Sequence, residues 1–186
     1  MEDLEKRKYP IGSYAKPDQI TPDMIAASIA RMESLPIRLT KLVMDMTPEQ
    51  LSNSYREGGW TGRQIVHHIA DSHVNGYIRL KLALTAEHPT IAPYDENQWA
   101  EIDEAKNGEV EIPLALIAAI HARLVNTLKR TAYNDFKRTY YHPQYDRMVP
   151  LDEFLSLYAW HGDHHMAQLS VICELYPTTI PQSESR

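Results

Sequence analysis

The chain of 186 residues is long enough to bury a hydrophobic core of its own, and we predict a single domain over 1–186 with an extended N-terminal arm at about 1–20. Apolar residues make up 43% and charged residues 24% of the sequence, a balance typical of globular proteins rather than of disordered or membrane chains. Lysine and arginine total 19 against 25 aspartates and glutamates, so the net charge of −6 gives no electrostatic reason to expect a nucleic-acid partner.

Cysteine content and the N-terminus indicate the cellular compartment. The single cysteine, Cys173, has no partner for an internal disulfide, and the first residues are charged, with no apolar signal core. No segment approaches the roughly 20 apolar residues that span a bilayer. We therefore expect a cytoplasmic protein that has no membrane partner.

The first long helix is predicted to begin at Thr21-Pro22. The threonine hydroxyl can cap free amides there. Proline is tolerated in the first helical turn because the amide hydrogen that it lacks has no partner within the helix. Apolar residues at helical spacing continue to Met46, and Pro36 is expected to kink the helix or shift its register. A repeat of the start signal predicts a short helix over 48–52.

The second long helix is predicted over about 62–86. Thr61 and Gln64 form a capping-box pattern at its start, and its end is expected before Pro89 because the residue preceding a proline disfavours helical geometry. The connection over 88–111 is predicted to be long, with a turn of helix in its middle. Loops of that length inside a compact domain are often functional.

Two further helices follow in the C-terminal half. The third is predicted to begin at Pro113 and to end near Thr131, since its apolar residues form one stripe. The segment 132–149 is expected to be a long connection with a small hairpin. The fourth helix is predicted from Pro150 to about Tyr176, ahead of a loose tail.

Four long helices and few strand signals predict an all-α fold, a four-helix bundle. In such bundles, ligand and metal sites are built in the core from side chains on facing helices. The long connections after the second and third helices permit crossovers as well as hairpins, so a simple up-down order is not implied.

The strongest chemical signal lies in the fourth helix, at His161 and His165. Residues four apart lie on one helical face, and two histidines at this spacing can bring their imidazole nitrogens to one metal ion. A purely structural role for the pair is the alternative. The pair belongs to a stripe that should face the bundle interior: Phe154, Tyr158, His161, His165, Leu169 and Ile172.

The second helix offers two candidates for a third ligand, His67 and His68. Each shares its face with apolar residues, so periodicity only weakly prefers His68. Asp71 would be placed to orient a ligand histidine or to help polarise a metal-bound water. His164 is expected on another side of its helix, and Asp163 is assigned no role.

A set of motifs extends over nearly the whole chain, at 9–12, 55–61, 63–73, 77–85, 93–96, 141–143 and 160–165. Together these motifs resemble a known family, the YfiT-like branch of the DinB superfamily, which includes bacillithiol transferases and proteins described as metal-dependent hydrolases.

The resemblance implies a four-helix bundle with a three-histidine site that holds one divalent metal ion per chain, zinc or nickel. Its third ligand is the histidine directly before the Ile-Ala-Asp motif, which selects His68 over His67. His161 and His165 carry over directly. The resemblance also implies a homodimer in the cytoplasm.

Three protein ligands leave a coordination position open, which is typical of catalytic sites. That position would hold a water, giving a hydrolase, or a low-molecular-weight thiol such as bacillithiol, giving an S-transferase. Gly162 stands where the zinc-protease motif has its glutamate, so no protease-like base is expected there. We predict a metal-dependent hydrolase or thiol S-transferase acting on a small molecule. The alternative is a non-catalytic metal-binding or stress-related interaction protein.

Overall fold

The computed structural model describes residues 2–177, and helices dominate it. The tail predicted to be loose, at 183–186, lies outside the described residues. The helices and strands, in chain order, are α1 (Glu2–Lys8), α2 (Pro22–Met44), α3 (Pro48–Ser52), α4 (Gly62–Thr85), α5 (Glu96–Ala100), α6 (Asp103–Asn107), α7 (Glu111–Arg130), β1 (Thr139–His142), β2 (Arg147–Pro150) and α8 (Leu151–Leu175).

The predicted helix starts are confirmed by their caps. The hydroxyl of Thr21 accepts a hydrogen bond from the Met24 amide at 3.3 Å. At the start of α4, Thr61 and Gln64 form the reciprocal capping box, with the Thr61 amide donating to the Gln64 side chain at 2.9 Å. The helix α2 continues through Pro36. These local signals position the helices before any tertiary contact is considered.

Two boundaries differ from the prediction. The arm over 1–20 is not wholly extended, because its first part forms α1, whose last carbonyl, that of Lys8, accepts a hydrogen bond from Gln168 at 2.9 Å. Helix α7 begins at Glu111, two residues before Pro113. A proline in the first turn removes only an amide that has no partner within the helix, so the helix can start ahead of it.

The hydrophobic core consists of two clusters. The first includes Met32, Leu80, Leu124 and Phe154, and the second includes Leu39, Ile65, Ile117 and Leu169. In α2 and α8 the chain passes from the first cluster to the second, and in α4 and α7 it passes from the second to the first. Helices α2 and α8 therefore run in one direction and α4 and α7 in the other. Because α4 and α7 are parallel neighbours, the segment 86–110 must return along the bundle, which explains its length.

The connection between α7 and α8 holds the predicted hairpin. Strands β1 and β2 pair antiparallel, with Thr139 opposite Pro150 and His142 opposite Arg147. The inward side chains of this hairpin, including Tyr140 and Val149, join the first core cluster. The hairpin thereby closes the bundle near the end of α4 and the start of α8.

One described helix, α7, is long enough and apolar enough to cross a membrane by length and composition alone. The expectation that no segment would approach this limit is therefore wrong. The core helix of a bundle passes the same test, and α7 packs against α2 and α4.

An ion-pair clamp joins α2 to α8 at the level of the predicted site. The carboxylate of Asp163 lies 2.7 Å from the Arg31 guanidinium and 2.8 Å from that of Arg38. Asp163, to which the sequence assigned no role, thus ties the turn of α8 that carries the paired histidines to the neighbouring helix.

Candidate metal centre

A layer of histidines separates the two core clusters. In α8 the buried core residues stop at Ala159 and resume at Leu169, and the paired histidines His161 and His165 lie in the interval. His68 of α4 faces them, with its ring 4.5 Å from that of Trp60. The fold therefore brings together the three histidines named as candidate ligands.

The Nε2 atoms of these three histidines converge. Those of His68 and His161 are 3.1 Å apart, and those of His165 and His161 are 3.2 Å apart. The ligand atoms of all three lie within 4.8 Å of one another. Metal–nitrogen bonds of about 2.0–2.1 Å at tetrahedral angles place two nitrogens about 3.3 Å apart. The cluster therefore has the dimensions of a divalent metal site.

The tautomer of His165 is set by a neighbouring amide. Gln168 donates its Nε2 to the Lys8 carbonyl at 2.9 Å, so its Oε1, 2.8 Å from Nδ1 of His165, is the acceptor. His165 must therefore carry its proton on Nδ1. Its Nε2 then presents a lone pair toward His161.

Burial keeps these imidazoles neutral. Removal from water lowers the pKa of His68, His161 and His165 well below the ordinary value, and the neighbouring histidines lower each pKa further. Neutral rings with bare nitrogens about 3 Å apart would repel through their lone pairs unless a cation lies between them. The donor set, three neutral imidazoles, is one that zinc and nickel favour.

Two histidines outside the predicted ligand set continue this layer. Nδ1 of His73 lies 2.7 Å from Nε2 of His121, and Nε2 of His73 lies 3.3 Å from Nδ1 of His161. Both side chains are fully buried. Their hydrogen bonds connect them to His161 of the candidate site. His121 falls on the apolar stripe of α7, four residues after Ile117, a signal that could have drawn attention to it.

Neither His67 nor His164 belongs to the group of three, although the His164 ring lies 5.0 Å from that of His165. His67 points to the other side of α4, where its Nδ1 is 3.1 Å from Glu104. The ring of His164 stacks on that of Trp160 at 4.6 Å. Asp71, predicted to orient a ligand histidine, makes no hydrogen bond to His67 or His68 within residues 2–177. Burial, reinforced by the nearby Glu104, raises the pKa of Asp71 to about 6.

A cavity of about 480 Å³ opens beside the three histidines. Arg79 enters it and donates to the Tyr158 hydroxyl at 3.3 Å, while its own Nε is buried and has no hydrogen-bond partner among residues 2–177. Arg56 and Arg147 also line the cavity, and Glu153 holds the Arg147 guanidinium at 2.5 Å. Burial, together with Arg79 and Arg147, lowers the pKa of His142, also in the cavity wall, to about 4.

Together, the fold and this cluster define a four-helix bundle whose core carries a three-histidine site of metal-binding dimensions. The chain belongs to the DinB superfamily, whose family model matches residues 31–169.

Several relatives are similar over most of their length. A protein of Oceanobacillus iheyensis named "Putative metal-dependent hydrolase" is 46% identical, over 90% of this chain and 96% of its own. YfiT of Bacillus subtilis, which carries the same description, is 43% identical, over 87% of this chain and 91% of its own.

A solved structure shares the fold as well. The structure of YfiT from Bacillus subtilis, described as "a probable metal-dependent hydrolase with an unusual four-helix bundle topology", superposes with a TM-score of 0.88 at 40% identity. The match covers 91% of this chain and 97% of that one. The predictions of family and of fold class are thus confirmed.

Proposed function

We propose that His68, His161 and His165 hold one divalent metal ion, zinc or nickel, and that the protein is a metal-dependent enzyme acting on a small molecule. The observation that carries the proposal is the convergence of the three Nε2 atoms beside a cavity large enough for a substrate. The names of the relatives support the dependence on a metal.

The metal, when bound, would supply a Lewis acid that lowers the pKa of a water or thiol entering its open position. The chain supplies the surroundings. The Gln168 side chain holds His165 with its Nε2 free, and the Trp60 ring covers His68. The bundle core excludes water from the rear of the cluster, so the free side faces the cavity.

The cavity favours a substrate that carries an anionic group. Arg79 has no carboxylate within ion-pair distance among residues 2–177, and its Nε lacks a partner although it is buried. Burying an unpaired cation is costly, so a ligand carboxylate that pairs with it is favoured. Arg147 is already neutralised by Glu153. Arg79 and Arg56, whose Nε is likewise buried without a hydrogen-bond partner among residues 2–177, are the cavity guanidinium groups that would orient such a ligand.

Two reactions fit this site. Hydrolysis agrees with the description given to the relatives, and thiol S-transfer of the bacillithiol-transferase type agrees with the family resemblance. We place the protein in the cytoplasm as a homodimer on that same resemblance. In the alternative, a non-catalytic metal-binding or stress-related interaction protein, the metal would have a fourth protein ligand. The open cavity beside the cluster argues against this.

The ligand set is tested by metal analysis of purified protein after incubation with zinc or nickel. The variants His68→Ala, His161→Ala and His165→Ala should each lose the metal, and the matched variants His67→Ala and His164→Ala should retain about one per chain. Retention in His68→Ala with loss in His67→Ala would overturn the assignment.

The reaction is tested with the metallated protein on small esters and amides, and on a small thiol with an electrophile. A transferase should saturate with the thiol, and adding the thiol to cobalt-substituted protein should change its absorption spectrum. A hydrolase should ignore the thiol and show a rate that rises through a pKa of about 7. Absence of both activities, together with a fourth protein ligand, would favour the non-catalytic alternative.

A further inference from the structure

A continuous row of hydrogen bonds leads from the backbone of α2 to the candidate metal centre. Nδ1 of His121 lies 2.7 Å from the carbonyl oxygen of Met32. Nε2 of the same ring lies 2.7 Å from Nδ1 of His73. Nε2 of His73 lies 3.3 Å from Nδ1 of His161. The row therefore draws on four helices, α2, α7, α4 and α8.

The direction of every proton in this row follows from its first member. A carbonyl oxygen only accepts, so His121 must carry its proton on Nδ1 and leave Nε2 as an acceptor. His73 then donates from Nδ1 and leaves its Nε2 as an acceptor. The remaining partner, His161, must donate from Nδ1, so its Nε2 is bare where it faces His68 and His165.

The surroundings keep the row in this one arrangement. His73 is 0% exposed and His121 is 1% exposed, so no bulk water can reverse a donor and an acceptor. The pairing of the described residues gives neither ring a carboxylate that would stabilise an imidazolium. The row ends on a backbone carbonyl, so it fixes orientation and offers no exit for a proton.

We propose that His73 and His121 are positioning residues that hold His161 in the tautomer whose Nε2 is free to bind the metal. A tautomer that is fixed in advance removes the cost of moving a proton when the metal binds. The tautomer of His165 is set separately, by its hydrogen bond to Gln168. Two of the three candidate ligands are therefore oriented by different hydrogen-bond partners. The link to metal affinity rests on the proposed metal site, whereas the tautomer itself does not depend on it.

The tautomer is tested by nitrogen-15 NMR of imidazoles in the metal-free wild-type protein, where protonated and bare ring nitrogens have well-separated chemical shifts. We expect His161, His73 and His121 each to be protonated on Nδ1 and bare on Nε2. A proton on Nε2 of His161 would overturn the proposal. This measurement needs no variant, so it determines the tautomer of His161 even if a substitution at His73 prevents folding.

The effect on the metal is tested by measuring zinc affinity in competition with a coloured chelator. His73→Leu, which fills the space but removes both nitrogens, should lower the affinity about 10- to 100-fold, because His161 loses its acceptor. His73→Gln, whose amide can still accept from His161, should recover most of that loss. His67→Leu is the matched control, a buried histidine of the same helix on the far side, and should leave the affinity unchanged.

The failures of the two proposals are distinguishable. If the wild-type protein binds no zinc, the proposed metal site fails, and the NMR result still reports on the row. If the wild-type protein binds zinc and His73→Leu binds it equally well, the positioning role of His73 is refuted while the metal site stands.

Discussion

Replacing Gly76 with alanine should force the ring of Tyr158 away from its position beside the candidate site. A Cβ atom on Gly76 would lie 2.4 Å from Cε1 and 2.7 Å from Cζ of that ring. Carbon atoms in contact prefer about 3.5–4.0 Å, so the ring must withdraw by about 1 Å. The ring of Phe154, at 4.5 Å between centroids, and the ring of His73, at 5.2 Å, leave it little room.

The net effect of Gly76→Ala is the difference between two terms. Overpacking of a full core costs about 1–3 kcal/mol. Alanine in a helix interior gains about 1 kcal/mol over glycine. We therefore expect the free energy of unfolding to fall by about 1 kcal/mol, which lowers Tm by about 2–4 °C in a chain of this size.

A double-mutant cycle measured by urea unfolding of the metal-free protein isolates the cause. In a Tyr158→Leu background the obstructing ring is gone, so Gly76→Ala should become stabilising by about 1 kcal/mol. Equal destabilisation of both backgrounds by Gly76→Ala, or stabilisation of the wild-type protein, would show that the Tyr158 ring is not the cause.

Three further predictions concern the site. Gln168→Leu should leave Nδ1–H of His165 buried without an acceptor. The free energy of unfolding should therefore fall by about 1–3 kcal/mol and the zinc affinity about 10- to 100-fold. Unchanged values in urea unfolding and chelator competition would contradict this. Arg79→Gln should lower the preference for a carboxylate-bearing substrate over its methyl ester about 10- to 100-fold in kcat/KM, with zinc affinity unchanged; an unaltered preference would remove the anion-binding role. The metal-free protein should lose stability as pH falls below about 6.5. The histidines become protonated there in the unfolded chain, whereas burial keeps them neutral in the folded protein. Burial lowers the pKa of His164 to about 4, so this loss extends from 6.5 down to 4, at up to about 1.4 kcal/mol per pH unit for each such histidine; equal urea midpoints at pH 7.5 and 5.5 would contradict it.

The parts of the fold that local chemistry determines were predictable from the sequence. Thr21 and Thr61 mark helix starts because a hydroxyl caps amides whatever the tertiary context. The direction of each helix was not predictable, since a connection such as 86–110 is long enough either to turn back or to cross the bundle. The short α1 was missed because its stability depends on docking to α8 rather than on a local signal.

The candidate site likewise has features that local sequence determines and features that depend on tertiary packing. Spacing alone placed His161 and His165 on one face, but the choice of His68 over His67 needed the family resemblance, because apolar residues surround both. His73 and His121 were not recognised as part of the layer, since they lie on different helices and meet only once those helices have packed. The apolar stripe of α7 marks His121 as buried, but the spacing within one helix does not show which residue of another helix it contacts.

We propose that three histidines hold one metal ion with a position open to the cavity. Anomalous diffraction at the zinc edge from crystals of the zinc-loaded protein tests this most directly. We expect one peak per chain at about 2.0–2.1 Å from Nε2 of His68, His161 and His165, with a non-protein ligand on the cavity side. A peak on other nitrogens, a fourth ligand from the protein, or no peak at all would contradict it.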